Sequence, residues 1–381
     1  MKSKSSTIRL LYADSEKNAD ARYLSGVAIP DPFLILEAKG KRYGIVSQLE
    51  YARVASQSSL DEVLLLDTIY KKTAETLQIK LGDVGPGEMM LYFAQRFACK
   101  RVEVPHDFPS AFYVTLFDAG YKVKVIQGPF VKGRSIKSLD ETKAIKKANS
   151  APALGLRKAA EILKAASVEG NTIIFEGKAL TSERLRTAIN QACLERGATA
   201  ANTIVAGGRQ ACDPHERGSG RLRANELIII DVFPRDDRTG YHGDMTRTFL
   251  KGTASDEQRD LVNTVREAQK ASLAAICAGV KSADVHEASA AYFREKGYKT
   301  ERRGKSFVGF IHSTGHGLGL DVHEPPRVSN KSGRLKAGNV ITVEPGLYYP
   351  SIGGCRIEDV VCVTDDGYDK LSTMHYRWEY R

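Results

Sequence analysis

Apolar and polar positions along this chain follow two different periods, and the change from one to the other marks out its elements. In the N-terminal third, short apolar stretches at 8–13, 33–37 and 42–47 have the length of strands and are bounded by Gly, Pro and Asp. Segments 59–78 and 87–98 carry apolar residues at helical spacing, which predicts two helices. Segments 113–119 and 121–126 complete a small α/β unit. No cluster of titratable residues with catalytic spacing occurs here, so the expected role is scaffolding, substrate gating or contact with a second copy.

The pattern then shifts. Val131-Lys132-Gly133-Arg134-Ser135-Ile136 leads into Ser138-Leu139-Asp140-Glu141, where Ser138 and Glu141 have the spacing of a capping box and open a helix running towards 166. The boundary near 135 predicts an α/β domain over 1–134 and a second domain over 135–381, an α/β (α+β) chain as a whole. Helices are expected at about 138–166, 180–196, 255–278 and 283–297, with strands from 305 to the end. Internal repeats and low-complexity stretches are absent.

Composition narrows the class. A chain of 381 residues suits two domains, and 42% hydrophobic with 27% charged residues excludes a disordered or collagen-like chain. The net charge, 56 − 46 = +10, would suit an anionic partner. The basic residues are spread out, however, with no zinc finger, RNA-binding aromatic signature or homeodomain pattern, so nucleic acid is not the expected partner. No apolar run approaches the ~18–20 residues that span a bilayer. The basic start, Met1-Lys2-Ser3-Lys4-Ser5-Ser6, is not followed by the apolar core of a signal peptide. A cytoplasmic protein without a membrane partner is expected. The six cysteines (99, 193, 212, 277, 355 and 362) are scattered without a Cys-x-x-Cys pair, which points to reduced structural thiols rather than a zinc site.

The chemistry concentrates between 215 and 358. Leu227-Ile228-Ile229-Ile230-Asp231-Val232-Phe233 reads as a buried strand, and the alternating Tyr241-His242-Gly243-Asp244-Met245-Thr246-Arg247-Thr248-Phe249 as a second. The turn-rich 234–240 between them predicts a hairpin that sets Asp231 beside Asp244. Two adjacent carboxylates repel unless a cation lies between them. Taken alone, Asp231 merely ending a strand and Asp244 lying at the surface would account for both.

A second cluster, His312-Ser313-Thr314-Gly315-His316-Gly317-Leu318-Gly319-Leu320-Asp321-Val322-His323-Glu324, holds three of the eight histidines. Its alternating glycines do not form a dinucleotide fingerprint, and Pro325-Pro326 exclude a His-Glu-x-x-His helix. A solvated histidine-rich loop is the plain alternative. The third cluster sets Glu344 at the end of Val340-Ile341-Thr342-Val343 and Glu358 within Gly353-Gly354-Cys355-Arg356-Ile357-Glu358-Asp359-Val360. Buried glutamates need partners, and Arg356 satisfies one more easily than two.

Together, Asp231, Asp244, His316, Glu344 and Glu358 supply four carboxylates and one imidazole. That donor set suits two divalent ions, Mn(II) foremost, with Co(II), Fe(II) or Zn(II) also fitting. A pair about 3.5–4 Å apart acidifies a shared water and polarises a carbonyl, so the implied reaction is hydrolysis.

These segments resemble the metallopeptidase family of methionine aminopeptidase, aminopeptidase P and prolidase, whose catalytic domain has the pita-bread fold. The resemblance spans essentially the whole chain. Asn18-Ala19-Asp20-Ala21-Arg22-Tyr23-Leu24-Ser25-Gly26 resembles the creatinase-type N-terminal domain of the proline-specific branch. By this resemblance, Asp231 chelates one metal, Asp244 and Glu358 bridge two, and His316 and Glu344 bind the second. Proton transfer falls to Glu344. His323 would contact substrate and stabilise the tetrahedral intermediate, with His312 and His215 as further active-site histidines. Arg356 would support the metal site by hydrogen bonding.

Two intervals depart from the family pattern. Asp231 and Asp244 are 244 − 231 = 13 apart, wider by two than usual, with the excess in Arg235-Asp236-Asp237-Arg238. Asp236 or Asp237 is the alternative to Asp231, although neither ends an apolar strand. His215 lies one residue closer to Asp231 than usual. Arg327 resembles an arginine with which prolidases bind a dipeptide's free carboxylate. The resemblance thus implies a homodimeric prolidase acting on short proline-containing peptides, with aminopeptidase P as the alternative. Creatinase, which lacks the ligand set, and a non-catalytic binding relative are the readings from other classes.

Overall fold

The computed structural model describes residues 7–381, so the basic segment 1–6 lies outside the described residues. The chain forms two compact units, divided between Lys132 and Gly133.

The first unit is built on six strands, β1 (Thr7–Ala13), β2 (Phe33–Ala38), β3 (Lys41–Val46), β4 (Glu62–Leu65), β5 (Arg101–Pro105) and β6 (Lys122–Ile126), in the order β4-β3-β2-β1-β5-β6. The pairs β1–β2 and β2–β3 are antiparallel and the others parallel. Alternate side chains leave opposite faces of a strand. Leu10, Leu34, Leu36 and Ile45 therefore join one core with Met90 and Phe93, while Leu11, Ile35 and Val46 join a second with Leu24 and Phe130. Five helices, α1 (Ala19–Ser25), α2 (Gln48–Gln57), α3 (Leu66–Leu77), α4 (Pro86–Arg96) and α5 (Ser110–Asp118), complete it. The helix expected over 59–78 begins only at Leu66. Its first part pairs in parallel with the sheet edge, Tyr43 opposite Glu62, and Val63-Leu64-Leu65 extend that sheet. Tertiary pairing has overridden local periodicity there.

In the second unit come α6 (Leu139–Ala148), α7 (Ser150–Ala165) and α8 (Ser182–Leu194), then α9 (Asp256–Ala274) and α10 (Ser282–Glu295). Ser138 accepts from Glu141 N–H and Glu141 accepts from Ser138 N–H, the reciprocal cap expected at this start. The single helix expected over 138–166 is two, broken at Asn149. Pro152 lacks an N–H, and its ring would meet the carbonyl of Ala148 in a continuous helix.

The strands of this unit are β7 (Ile204–Gly207), β8 (Ile228–Val232), β9 (Met245–Lys251), β10 (Gly315–Gly317), β11 (Glu324–Val328), β12 (Val340–Val343), β13 (Gly346–Tyr349), β14 (Gly353–Arg356), β15 (Asp359–Val363), β16 (Tyr368–Lys370) and β17 (Glu379–Tyr380). They make a sheet β7-β8-β9-β17, a sheet β11-β10-β12-β15-β16 and the hairpin β13–β14, beside shorter ribbons. The expected hairpin forms, with Asp231 opposite Thr246, but Tyr241 to Asp244 stay outside the strand. All six cysteines are free. Among the described residues no helix is long and apolar enough to cross a membrane.

Candidate active site

Strand ends deliver the acidic residues to one place. Asp231 is the fourth residue of β8, Asp244 immediately precedes β9, Glu344 immediately follows β12, and Glu358 lies between β14 and β15. Backbone bonds set their positions: Glu344 N donates to Thr314 O at 2.7 Å, and Glu358 N to Thr246 O at 3.1 Å. Asp244 N donates to Oδ1 of Asn149 at 3.1 Å, so the break between α6 and α7 holds the start of β9. Gly243 permits that approach, because a Cβ there would fall 2.6 Å from Ala148 O.

His316, in the middle of β10, faces these carboxylates. Its Nε2 lies 3.3 Å from Glu344 Oε1 and 3.7 Å from Asp244 Oδ2. Its Nδ1 is 3.2 Å from Gly317 O, which assigns the proton to Nδ1 and turns the Nε2 lone pair towards the acids. Burial, reinforced by His323, pushes this imidazole down to about 3. Asp244, His316 and Glu358 each present a donor atom within 4.8 Å of the other two.

The electrostatics are those of a site awaiting positive charge. Burial, then the charges of Asp231 and Glu344, raise Asp244 well above the carboxylate range. Burial, then Asp244 and Glu344, do the same to Glu358, and burial lifts Glu344 to about 8. Asp231 Oδ1 is buried without a hydrogen-bond partner. An unprotonated imidazole nitrogen, crowded carboxylates and an unpartnered buried oxygen are satisfied together by divalent cations, so the residues present fit such ions.

The supporting groups are equally defined. Arg356, buried, donates from Nη2 to Asp231 Oδ2 at 2.9 Å and from Nη1 to the Tyr348 hydroxyl at 3.0 Å. His312 Nδ1 meets Ser313 O at 2.7 Å, which leaves Nε2 to accept from Tyr348 at 2.7 Å. Burial, then the Arg356 charge, hold His312 at about 3, so this imidazole is neutral. Thr246 Oγ1 donates to Glu358 Oε2 at 2.8 Å.

Asp359, next to Glu358, points the other way along β15 and meets Arg247 at 2.9 Å, Ser372 at 2.8 Å and Tyr376 at 2.6 Å. Burial alone would raise its pKa; Arg247 and Lys370 outweigh it and hold Asp359 below the usual range.

His323 is exposed, with its ring 4.3 Å from that of His316. The next residue, Glu324, is buried and pairs with Lys137 and with Arg134 at 2.6 Å, and Arg134 also pairs with Asp321 at 2.6 Å. These ion pairs fasten both ends of the stretch carrying His323. Arg327 is exposed on β11, and its charge lowers His323 after burial has done so. His215 is exposed, and both His312 and His323 feel its charge. Asp236 and Asp237 are occupied elsewhere: Asp236 accepts from Thr239, and Asp237 from Thr199.

Sequence reasoning missed Asn149, Thr246, Tyr348 and Asp359. The strand alternation around Thr246 was visible, but partners more than a hundred residues away were not.

The profile of metallopeptidase family M24 matches residues 144–365. An Xaa-Pro dipeptidase of Pyrococcus furiosus is 37% identical over 173 residues, 45% of this chain and 47% of that protein. An uncharacterized peptidase of Staphylococcus aureus is 36% identical over 247 residues, 64% of this chain and 63% of its own length. The chain thus spans between about half and just under two thirds of these curated relatives. Among solved structures, the prolidase from Pyrococcus furiosus aligns with a TM-score of 0.75 and 25% identity over 97% of both chains. An X-Pro aminopeptidase from Thermotoga maritima aligns at a TM-score of 0.77 over 98% of this chain and 97% of that one; at 23% identity it shows the fold alone.

Proposed function

Since the chain belongs to metallopeptidase family M24, we propose that it hydrolyses the Xaa-Pro bond of short peptides with two divalent metal ions, as a prolidase does. Its fold is the mixed α/β pita-bread architecture. We assign residues 1–134 to a creatinase-type N-terminal domain and 135–381 to the catalytic domain of a cytoplasmic homodimer.

The observation that carries this reading is the convergence of His316 Nε2 on buried carboxylates whose charges lack compensation. Asp231, Asp244, His316, Glu344 and Glu358 would hold the ions, with Asp244 and Glu358 shared, and Mn(II) is the first choice. Bound there, the ions would supply Lewis-acid polarisation of the scissile carbonyl and acidify the hydrolytic water.

The chain's own residues do the rest. Glu344 would give up its own proton when the ions bind and, as the carboxylate, takes the proton of the attacking water and passes it to the departing proline nitrogen. His323, exposed beside His316, contacts the substrate and donates to the oxyanion as it forms. His312, kept neutral, and His215 line the substrate's approach. Arg327 pairs with the free carboxylate of a dipeptide, which separates dipeptides from longer chains. Arg356 fixes Asp231.

The test is hydrolysis of Ala-Pro against Ala-Pro-Ala with added Mn(II) and with an EDTA control, for wild type and Arg327→Ala. Metal-dependent cleavage confined to the dipeptide, weakened in Arg327→Ala, is expected. Preference for the tripeptide would replace prolidase by aminopeptidase P, and no cleavage of either by metal-loaded protein would overturn the substrate assignment.

A further inference from the structure

A second concavity lies in the C-terminal unit, away from the carboxylate cluster. It measures about 630 Å³ and is walled by Gly207 at the end of β7, by Arg209 and Gln210 in the turn that follows, and by the segment 219–226. The register sets Gly207 opposite Ile228 and Ile204 opposite Asp231. The cavity and Asp231 therefore lie at opposite ends of the β7–β8 pair, roughly 10 Å apart along the strands.

Three arginines line it. Arg221 and Arg223 lie on an extended stretch bridged to Thr181 and Thr172, with Leu222 buried between them. Residues two apart on extended backbone project from the same face. Arg209 enters from the other wall. All three are exposed, and none makes an ion pair or side-chain hydrogen bond among the described residues. Neighbouring arginines behave differently. Arg184, Arg186 and Arg217 each donate to a backbone carbonyl, at 2.9, 3.0 and 3.3 Å.

The remaining polar groups are also arranged. Gln210 Nε2 donates to Ser219 Oγ at 3.2 Å, while Ser219 N donates to Gln210 Oε1 at 3.0 Å, which ties the two walls together. The one lining carboxylate, Glu226, packs against Gly208, where a Cβ would lie 2.1 Å from its Oε2. Three arginines and one glutamate leave a formal charge of 3 − 1 = +2 on the lining.

We propose that this cavity binds a small phosphate ester bearing hydroxyl groups, of the size of a nucleoside diphosphate. Guanidinium forks match phosphate oxygens in geometry as well as charge. A carboxylate on the same wall accepts from an alcohol hydroxyl, a group that a hydroxylated ester carries in addition to its phosphate. The volume falls within the range of small-molecule sites, ~300–1,000 Å³. The assignment is independent of the peptidase reading.

The test is calorimetric titration of the full chain with ADP and with inorganic pyrophosphate. Two charge-matched double variants localise the binding, R221S/R223S in the cavity and R302S/R303S on the exposed ribbon Glu301–Arg303. Saturable ADP binding is expected, weakened about tenfold or more in R221S/R223S and changed by less than about twofold in R302S/R303S. Thermal melting of each variant verifies that it folds. Absence of saturable binding to wild type at millimolar ligand overturns the proposal. So does unchanged affinity in R221S/R223S, which would place the ligand elsewhere, the carboxylate cluster included. Equal weakening in both variants would reduce the effect to net charge and overturn it too. Tighter binding of ADP than of pyrophosphate supports the ester assignment, and equal binding overturns that part.

Discussion

Arg356 donates to one oxygen of Asp231, and the other oxygen of the same carboxylate is buried without a partner. The guanidinium thus dictates which oxygen stays available, and its second donor, on Tyr348, fixes the plane of the fork. Arg356→Lys keeps the charge but cannot hold both partners. Metal affinity should fall about 10–100-fold, as for other residues that orient ligands. Calorimetric titration with Mn(II) reads this directly, and wild-type affinity in the variant would remove Arg356 from the support of the site.

Glu344→Gln preserves size while removing the carboxylate proposed to accept the water's proton. Turnover should drop by about 10²–10⁴-fold with the melting temperature of the metal-free protein unchanged or higher. Near-normal turnover on the best proline peptide would exclude the proton-transfer role.

Stability of the metal-free protein should depend on pH in a direction opposite to that of most carboxylate-rich proteins. Glu344 sits at about 8 in the folded chain against an ordinary 4.5, and Asp244 and Glu358 are raised as well. A group raised by folding binds its proton more tightly in the folded state. Its contribution is therefore complete below the unfolded value and is lost as pH rises through the folded one. Between about 6.5, above which the histidines held down by burial such as His312 and His316 no longer oppose the trend, and about 8, the metal-free protein should melt at progressively lower temperature. Mn(II) should reverse the trend and release protons on binding. A flat melting profile across that window, measured with EDTA, would contradict the crowding of carboxylates described here.

Asp359→Ala leaves Arg247 buried beside an empty position. Removing one partner of a buried pair costs about 3–5 kcal/mol, which urea denaturation resolves easily. A loss below about 1 kcal/mol, the range of an exposed ion pair, would show that Arg247 finds compensation elsewhere.

The legible part of this molecule was the set of acids placed where apolar runs stop. Asp231, Glu344 and Glu358 each interrupt a Val/Ile-rich stretch, which a sequence can display because strand and residue are contiguous. Asn149 was invisible for the opposite reason: its importance arises from Pro152 breaking a helix and from Asp244, 95 positions away, donating to it. Glu62 to Leu65 were misread because their apolar residues fit either period until a sheet edge selected one. Tyr348 looks like any core aromatic of a strand until Arg356 and His312 are seen on its hydroxyl.

Glu358 and Asp359 are neighbours in sequence with opposed duties, one facing the acidic cluster and the other locked to Arg247. Side chains of β15 alternate in direction, so inserting or deleting a single residue just before this pair would exchange the two carboxylates. The shorter acid would be aimed into the acidic cluster and the longer one would be forced against Arg247. Length variation among natural or engineered descendants of this chain should therefore be excluded between Gly353 and Val363, while the turn over 237–239, just beyond the paired segment Arg235–Asp236, remains the place where the chain can grow.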